Sequence, residues 1–93
     1  MTRLVKCAHI QASNPLHEGS PIEIKEAMIQ KHLPLIDEAG QKGVNILCLQ
    51  EIFYGPYFCC EQDIKWYQTA EHVPGPTTER LAAYAKKHKM VMV

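Results

Sequence analysis

Residues 45–58, NILCLQEIFYGPYF, carry the strongest structural signal in the chain. The apolar run Ile46–Leu49 is followed by Gln50, by a single carboxylate at Glu51, and then by aromatic residues. Such an apolar run is typical of a strand buried on both faces of a parallel sheet. A carboxylate at the end of that strand is expected to be partly desolvated, unless a partner uses or neutralises it.

Two further apolar runs predict strands on either side of this one. They are LVKCAHI, residues 4–10, and MVMV, residues 90–93, and the central strand is predicted over VNILCLQ, residues 44–50. The segments between the strands have helical patterns. The order strand, helix, strand, helix, strand predicts an α/β fold with parallel strands joined by right-handed crossovers.

The first helix is predicted to begin at Ser20 and Pro21, because serine suits an N-cap and proline suits the first turn. Pro34 is expected to kink or split it, since proline removes a backbone hydrogen bond. Gly40 or Gly43 is expected to end it. Its predicted apolar face consists of Ile24, Met28, Leu35 and Ala39.

The second helix is predicted within PGPTTERLAAYAKKHKM, residues 74–90, with Thr77 or Thr78 as its cap. Its lysines, Lys86, Lys87 and Lys89, lie near the negative end of the helix dipole and indicate a solvated terminus. The predicted apolar face is Leu81, Tyr84, Ala85 and His88.

The segment 52–75 is too long for a plain connection and is rich in aromatic residues. It forms either a pocket wall or a capping subdomain, or its rings simply cover the edge of the sheet. The sequence EQDIKWYQTA, residues 61–70, predicts a short helix within it.

Composition excludes several classes of function. The chain has 93 residues, 46% of them hydrophobic and 22% charged, with ten basic and ten acidic side chains. A net charge of zero provides no field for nucleic acid or an anionic membrane surface. There is neither an apolar run long enough to span a membrane nor a signal-peptide core, so we expect a cytoplasmic protein.

The four cysteines are expected to be free thiols. Cys7 and Cys48 fall in predicted core strands, and the adjacent pair Cys59 and Cys60 is poorly placed to form a disulfide. No paired CxxC or histidine spacing completes a zinc site, so no metal is expected.

Glu51 is the residue whose position suggests chemistry. Ligands of parallel α/β sheets collect beyond the carboxyl ends of the strands, where Glu51 is placed. A carboxylate there suits a general base, although the residues alone leave open a helix cap or an ion-pair partner.

GVNILCLQEIFYGPYFC, residues 43–59, resembles the first catalytic block of the nitrilase, or carbon-nitrogen hydrolase, superfamily. The opening VKCAHIQ and the helix start PGPTT occur in the order typical of that superfamily, so the resemblance covers nearly the whole chain. Residues 61–93 are similar to the N-carbamoyl-β-alanine amidohydrolases, or β-ureidopropionases, and to bacterial N-carbamoyl amino acid amidohydrolases.

The resemblance implies a Glu-Lys-Cys mechanism in which Glu51 deprotonates a cysteine, the thiolate attacks, and a lysine stabilises the tetrahedral intermediate. Neither the lysine block nor the cysteine block of the family is found before Val93. Cys48 is three residues from Glu51 on one strand, so its side chain is expected on the opposite face. Cys59 and Cys60 follow Glu51 closely and remain conceivable pocket thiols.

The resemblance also implies a four-layer αββα sandwich about three times this length. Residues 1–93 are therefore expected to be the amino-terminal portion of a single carbon-nitrogen hydrolase domain, apparently truncated and inactive alone, with an exposed sheet edge and apolar face. The intact protein is expected to act on a small-molecule substrate without a cofactor, and to form homo-oligomers.

The expected reaction converts an N-carbamoyl amino acid of the N-carbamoyl-β-alanine type into the free amino acid, carbon dioxide and ammonia. An N-carbamoylputrescine amidase or an aliphatic amidase is the alternative within the family. A non-catalytic α/β module that binds a small molecule or a partner through the aromatic segment is the alternative from another class.

Three further residues are candidates for the substrate pocket. Tyr54 and Tyr57 follow Glu51 closely, although either tyrosine could instead brace the turn at Gly55 and Pro56. His72 precedes the VPGP sequence and could contact substrate, although a loop histidine is more often solvated. His9, on the first strand, is expected to be packed or hydrogen-bonded.

Overall fold

The computed structural model describes residues 2–93 and contains three strands and two α-helices. In chain order they are β1 (Cys7–Ile10), α1 (Pro21–Gln41), β2 (Ile46–Leu49), α2 (Pro76–His88) and β3 (Val91–Met92). All strands are parallel and lie in the order β1-β2-β3. The predicted α/β order is confirmed, although each strand is shorter than its apolar run.

Only one face of the sheet is covered by other parts of residues 2–93. Ala8, Leu47 and Met92 form one row across the strands and pack towards the helices, with Leu47 fully buried. The row beside it, Cys7, Ile46 and Val91, is exposed. The prediction of a strand buried on both faces is therefore wrong for this part of the chain, because both helices lie on the same side.

Two residues of β1 that were predicted to be packed are exposed for the same reason. Cys7 and His9 both point to the uncovered face and are exposed, whereas Ala8 and Ile10 face the helices. The period of two along a strand places alternate side chains on opposite faces, so the same strand is half core and half surface.

Helix α1 is anchored at its start by a capping box. Ser20 Oγ accepts a hydrogen bond from the backbone N–H of Glu23 at 3.2 Å, and the Glu23 carboxylate accepts one from the N–H of Ser20. The helix runs unbroken through Pro34, so the predicted split does not occur. Packing of a long apolar face holds a helix together despite one missing hydrogen bond.

Gly43 ends α1, as one of the two glycines predicted to do so, whereas the buried face of the helix differs in detail from the prediction. Gly40 lies inside the helix, Lys42 is the C-cap, and Gly43 follows with a φ of +76°. Leu35 is only partly buried. The side chains that α1 buries are Pro21, Ile24, Met28, Ile29, His32, Ile36 and Ala39.

Helix α2 begins earlier than predicted, with Gly75 as the N-cap and Pro76 in the first turn. Thr77 and Thr78 already lie within the helix, so neither is the N-cap residue. A Cβ at position 75 would overlap with the carbonyl oxygen of His72, which leaves room only for glycine. The carboxylate of Glu71 takes the capping role, accepting a hydrogen bond from the backbone N–H of Thr77 at 2.7 Å.

The two helices meet closely near the end of α2. A Cβ at Gly40 of α1 would overlap with the imidazole ring of His88. The His88 Nε2 atom lies 2.7 Å from Asp37 Oδ1. The hydrogen bond with His88, together with that from Lys87, lowers the pKa of Asp37. Position 40 therefore sets how closely α2 can approach α1.

A second link between the helices is a two-pronged ion pair. Arg80 Nη1 and Nη2 donate to the two carboxylate oxygens of Glu26 at 3.0 and 2.9 Å. Hydrogen bonds from Arg80 and then Gln30 lower the pKa of Glu26 to about 2.

The aromatic segment 52–75 folds mainly as turns, with 3₁₀ helices at Phe58–Cys60 and Ile64–Thr69. The second of these is the predicted short helix in 3₁₀ form. The Val73–Pro74 peptide bond is cis. Among residues 2–93, no helix is both long and apolar enough to cross a bilayer.

Candidate active site

Glu51 lies at the carboxyl edge of the sheet, as its sequence position predicts. Strand β2 ends at Leu49, whose backbone N–H donates to the carbonyl of Val93 at 2.8 Å. Gln50 Oε1 accepts a hydrogen bond from the N–H of Ala12 at 2.5 Å, which ties the segment after β1 to the segment after β2. These two hydrogen bonds hold Leu49 and Gln50, the two residues before Glu51, against Val93 and Ala12 respectively.

Two open clefts meet at Glu51. One, of about 640 Å³, runs over the end of the sheet towards α2 and is also lined by Phe53, Tyr54, Glu71 and Thr77. The other, of about 520 Å³, lies on the side of the segment after β1; its walls include Asn14, Met28 and Tyr57. The carboxylate is thus placed where a small molecule in either cleft would meet it.

The expectation that Glu51 is partly desolvated is not met within residues 2–93, because its side chain is exposed. A turn starts at Glu51, and Ile52 has a positive φ of 53°, so the chain leaves the sheet at this point. In this portion of the molecule, Glu51 has no ion-pair partner.

The two predicted pocket tyrosines both line clefts beside Glu51, but their surroundings differ. Tyr54 is partly buried, stacks on Phe53 with ring centroids 5.3 Å apart, and donates from its hydroxyl to the carbonyl of Thr69 at 3.3 Å. Tyr57 is 66% exposed in the other cleft. His72 is exposed and lines neither cleft, so the structure does not bring it to Glu51.

The cysteines are all free, as predicted, and none lines a cleft beside Glu51. Cys59 and Cys60 are both exposed; Cys59 lines a cavity of about 750 Å³ within the aromatic segment, and Cys60 lines a different one of about 460 Å³. Cys48 is half-buried in β2, and its thiol lies 3.4 Å from the Leu49 carbonyl oxygen. The two clefts also lack a lysine among their lining residues.

Glu71 is a second carboxylate in the same cleft, and the sequence analysis missed it. It pairs with Lys25 of α1 at 2.5 Å, and both side chains are largely buried. Burial opposes its ionisation, but hydrogen bonds from Lys25 and Thr77 outweigh that effect and lower the pKa of Glu71. A carboxylate just before a PGPTT helix start is a possible capping signal, but its partner on α1 is distant in sequence.

His32 packs against the side of Phe53 that faces α1, behind the wall of the cleft. It is fully buried, its Nδ1 lies 2.8 Å from the carbonyl oxygen of Met28, and its ring meets Phe53 edge to face at 5.4 Å. Phe53 in turn stacks on Tyr54, so the wall of the cleft is packed against α1. Within residues 2–93, no three metal-ligating side chains are grouped together.

The carboxylate of Glu51 therefore lies beyond the carboxyl end of the central strand of a parallel α/β sheet, which is where ligands of such sheets bind. Residues 6–93 match the carbon-nitrogen hydrolase family, and the chain belongs to that family.

Its relatives in this family include a beta-ureidopropionase and two kinds of amidase. The chain is 40% identical over 92 residues to the beta-ureidopropionase of Arabidopsis thaliana, covering 98% of this chain and 22% of that protein. It is 42% identical over 59 residues to the N-carbamoylputrescine amidase of Oryza sativa subsp. japonica, covering 62% and 20% respectively. Over 65 residues it is 38% identical to an omega-amidase of Xenopus tropicalis, covering 69% and 22%. The chain thus spans about a fifth of the length of these relatives.

Proposed function

We propose that residues 1–93 form the amino-terminal portion of an enzyme that hydrolyses an N-carbamoyl amino acid of the N-carbamoyl-β-alanine type. One observation carries the proposal. Glu51 stands unpaired at the carboxyl edge of the sheet, where two clefts meet, in a chain that is 40% identical to a beta-ureidopropionase over 98% of its length.

In the proposed mechanism Glu51 is the general base. It takes the proton from a cysteine thiol, and the resulting thiolate attacks the ureido carbon. A C–N bond of the tetrahedral intermediate then breaks as the departing nitrogen takes the proton back from Glu51, and water hydrolyses the thiol ester that remains. A thiol with an ordinary pKa near ~8.5 is mostly protonated at neutral pH, so a nearby base increases the reactive fraction. A lysine stabilises the negative charge that develops on the ureido oxygen, because a fixed positive charge is most effective in a site that excludes water.

The proposal places this lysine and this cysteine outside residues 1–93. The clefts beside Glu51 are lined by neither residue type within the described part of the chain. In the complete enzyme, further protein over the two clefts at the carboxyl edge of the sheet would partly desolvate Glu51. With one equivalent of water, the overall reaction yields the free amino acid, carbon dioxide and ammonia. The complete enzyme is proposed to be a homo-oligomer that needs no cofactor.

The identity to an N-carbamoylputrescine amidase over 59 residues supports a second candidate substrate. N-carbamoyl-β-alanine ends in a carboxylate, whereas N-carbamoylputrescine ends in an ammonium group. A pocket that binds one of these charged ends disfavours the other, because an unpaired or like charge is costly in a desolvated site. Comparing kcat/KM for the two compounds therefore separates the candidates.

The test begins by sequencing the encoding DNA beyond the codon for Val93. The full-length protein is then expressed, and ammonia release from N-carbamoyl-β-alanine is measured. Replacing Glu51 with Gln should lower kcat by about 10²- to 10⁴-fold, the usual contribution of a general base. Glu18→Gln is the matched control, since Glu18 is exposed and lines neither cleft.

Residues 1–93 expressed alone should show no turnover, because the proposed nucleophile is absent. Full activity in Glu51→Gln, or Glu51-dependent activity of the 93-residue chain, would refute the proposed mechanism. A native stop codon directly after Val93 would instead favour a non-catalytic binding module.

A further inference from the structure

Lys25 and Glu71 form an ion pair that joins distant parts of the chain in a largely buried place. The Nζ and Oε2 atoms are 2.5 Å apart, and the side chains are only 12% and 15% exposed. Taking two charges out of water costs free energy, which offsets much of their mutual attraction. A buried ion pair is thus weak evidence that the pair stabilises the fold. The neighbouring groups that it holds in place are the better guide to its role.

Glu71 uses both carboxylate oxygens to hold its neighbours. Oε2 accepts from Lys25 Nζ and from Thr77 Oγ1, the latter at 2.9 Å, and Oε1 accepts from the Thr77 backbone N–H at 2.7 Å. A carboxylate bound by three donors is stabilised in its charged form and is poorly suited to proton transfer. The cleft therefore contains two carboxylates with different surroundings: both oxygens of Glu71 accept hydrogen bonds, whereas Glu51 has no ion-pair partner within residues 2–93.

Lys25 connects this carboxylate to the aromatic segment. Its Nζ also donates to the carbonyl of Thr69 at 2.9 Å and lies 4.5 Å from the centroid of the Tyr54 ring. The same carbonyl accepts from the Tyr54 hydroxyl. One ammonium group thus contacts the beginning and the end of segment 54–69 and secures both to α1.

Glu51, Tyr54, Glu71 and Thr77 line the same cleft. We propose that Glu71 is a positioning residue for the active site: through Lys25 and Thr77 it fixes the aromatic wall and the start of α2 relative to Glu51. The predicted effect on substrate turnover rests on the proposed function, whereas the predicted effect on the position of the aromatic wall does not. Glu71 itself does not transfer a proton in this proposal.

The test uses the full-length protein with N-carbamoyl-β-alanine as the probe. Glu71→Gln keeps the size of the side chain but loses its charge, which weakens the bond to Lys25. A displacement of about 1 Å in an active site can cost about 10²-fold in rate, so kcat/KM should fall by about 10- to 100-fold, with a rise in KM as Tyr54 moves. Wild-type kcat and KM in a folded Glu71→Gln protein would overturn the proposal.

Glu26→Gln is the matched control. It also breaks a carboxylate-to-cation pair that starts on α1, but Arg80 and Glu26 line neither cleft beside Glu51. Its kcat and KM should stay within twofold of wild type. An equal kinetic loss in the control would show that any damage to the α1–α2 contact impairs activity, and would overturn a specific role for Glu71.

A double variant, Lys25→Met with Glu71→Gln, separates positioning from stability. Removing both charges leaves no unpaired ion, so its melting temperature should exceed that of Lys25→Met alone and that of Glu71→Gln alone. Its kcat/KM should nevertheless remain low, because the ammonium group that secures the Thr69 carbonyl and Tyr54 to α1 is absent. Recovery of both stability and activity would overturn the proposal.

Hydrogen exchange without substrate provides a readout independent of the proposed function. Backbone amides in residues 52–70 should exchange faster in Glu71→Gln than in wild type or Glu26→Gln. Unchanged exchange there would overturn the positioning role of Glu71, whatever the substrate. If the wild-type enzyme were inactive on N-carbamoyl-β-alanine but the exchange difference were present, the proposed substrate would be refuted and the positioning role supported.

Discussion

The contact between Gly40 and His88 predicts that the sign of one substitution depends on a second residue. In Gly40→Ala the new methyl group would overlap with the partly buried His88 ring, whose Cδ2 would lie 2.6 Å away. Overpacking of this kind costs about 1–3 kcal/mol. Alanine in a helix interior gains about 1 kcal/mol over glycine, and weakening the His88–Asp37 hydrogen bond adds a further cost of about 1 kcal/mol.

The balance of these effects predicts that Gly40→Ala lowers the free energy of unfolding by about 2 kcal/mol. In a His88→Ala background the ring is absent, so the same substitution should raise stability by about 1 kcal/mol through helix propensity. The coupling between the two positions is then about 3 kcal/mol, large for a single contact.

Urea unfolding of wild type, both single variants and the double variant, followed by circular dichroism, measures this coupling in the full-length protein. Ala83→Gly, at an exposed position of α2, checks the alanine-to-glycine helix difference without the contact. If Gly40→Ala destabilises equally in both backgrounds, the His88 ring is not what limits position 40, and the close approach of α1 and α2 described above is incorrect.

Two further predictions concern the termini and contacts of α1. Glu26 has a pKa of about 2 in the folded protein against an ordinary value of 4.5, so its pair with Arg80 stabilises the fold above about pH 4.5 and this contribution is lost as pH falls towards 2. The unfolding free energies of wild type and Arg80→Gln should therefore differ by at most about 1 kcal/mol near neutral pH, because the pair is half exposed, and should converge on acidification; a difference independent of pH contradicts this. Ser20→Ala should cost about 1 kcal/mol by removing the capping box, and Ser20→Asp should restore most of that loss in the same unfolding measurement; equal losses in both variants would exclude side-chain capping.

Much of the fold could be predicted because its signals are local. The apolar runs at residues 4–10, 44–50 and 90–93 indicated the strands, and the alternation with helical segments indicated parallel pairing. Ser20 and Glu23 lie three residues apart, so the capping box is visible in a short window of sequence. Pro34 misled the prediction, because its local cost is outweighed by contacts that α1 makes elsewhere.

The candidate site was predicted only in part, because some of its contacts join residues that are distant in sequence. Glu51 was recognisable because a carboxylate directly after an apolar strand is a local pattern, and the structure places it at the predicted edge of the sheet. Glu71 gave no comparable signal, since its partner Lys25 is 46 residues away. His72, predicted from its loop, lies outside both clefts, although Glu71 and Val73 on either side of it line one of them.

Local chemistry along the chain thus established the element order, the free thiols and the residue placed at the end of β2, since each depends on neighbours a few positions apart. Folding in three dimensions added the features that depend on distant pairs: the uncovered face of the sheet, the Gly40–His88 contact, and the Lys25–Glu71 pair beside the cleft. The physical reason is that burial and ion pairing act through space, and a linear pattern contains no record of which remote side chains become neighbours.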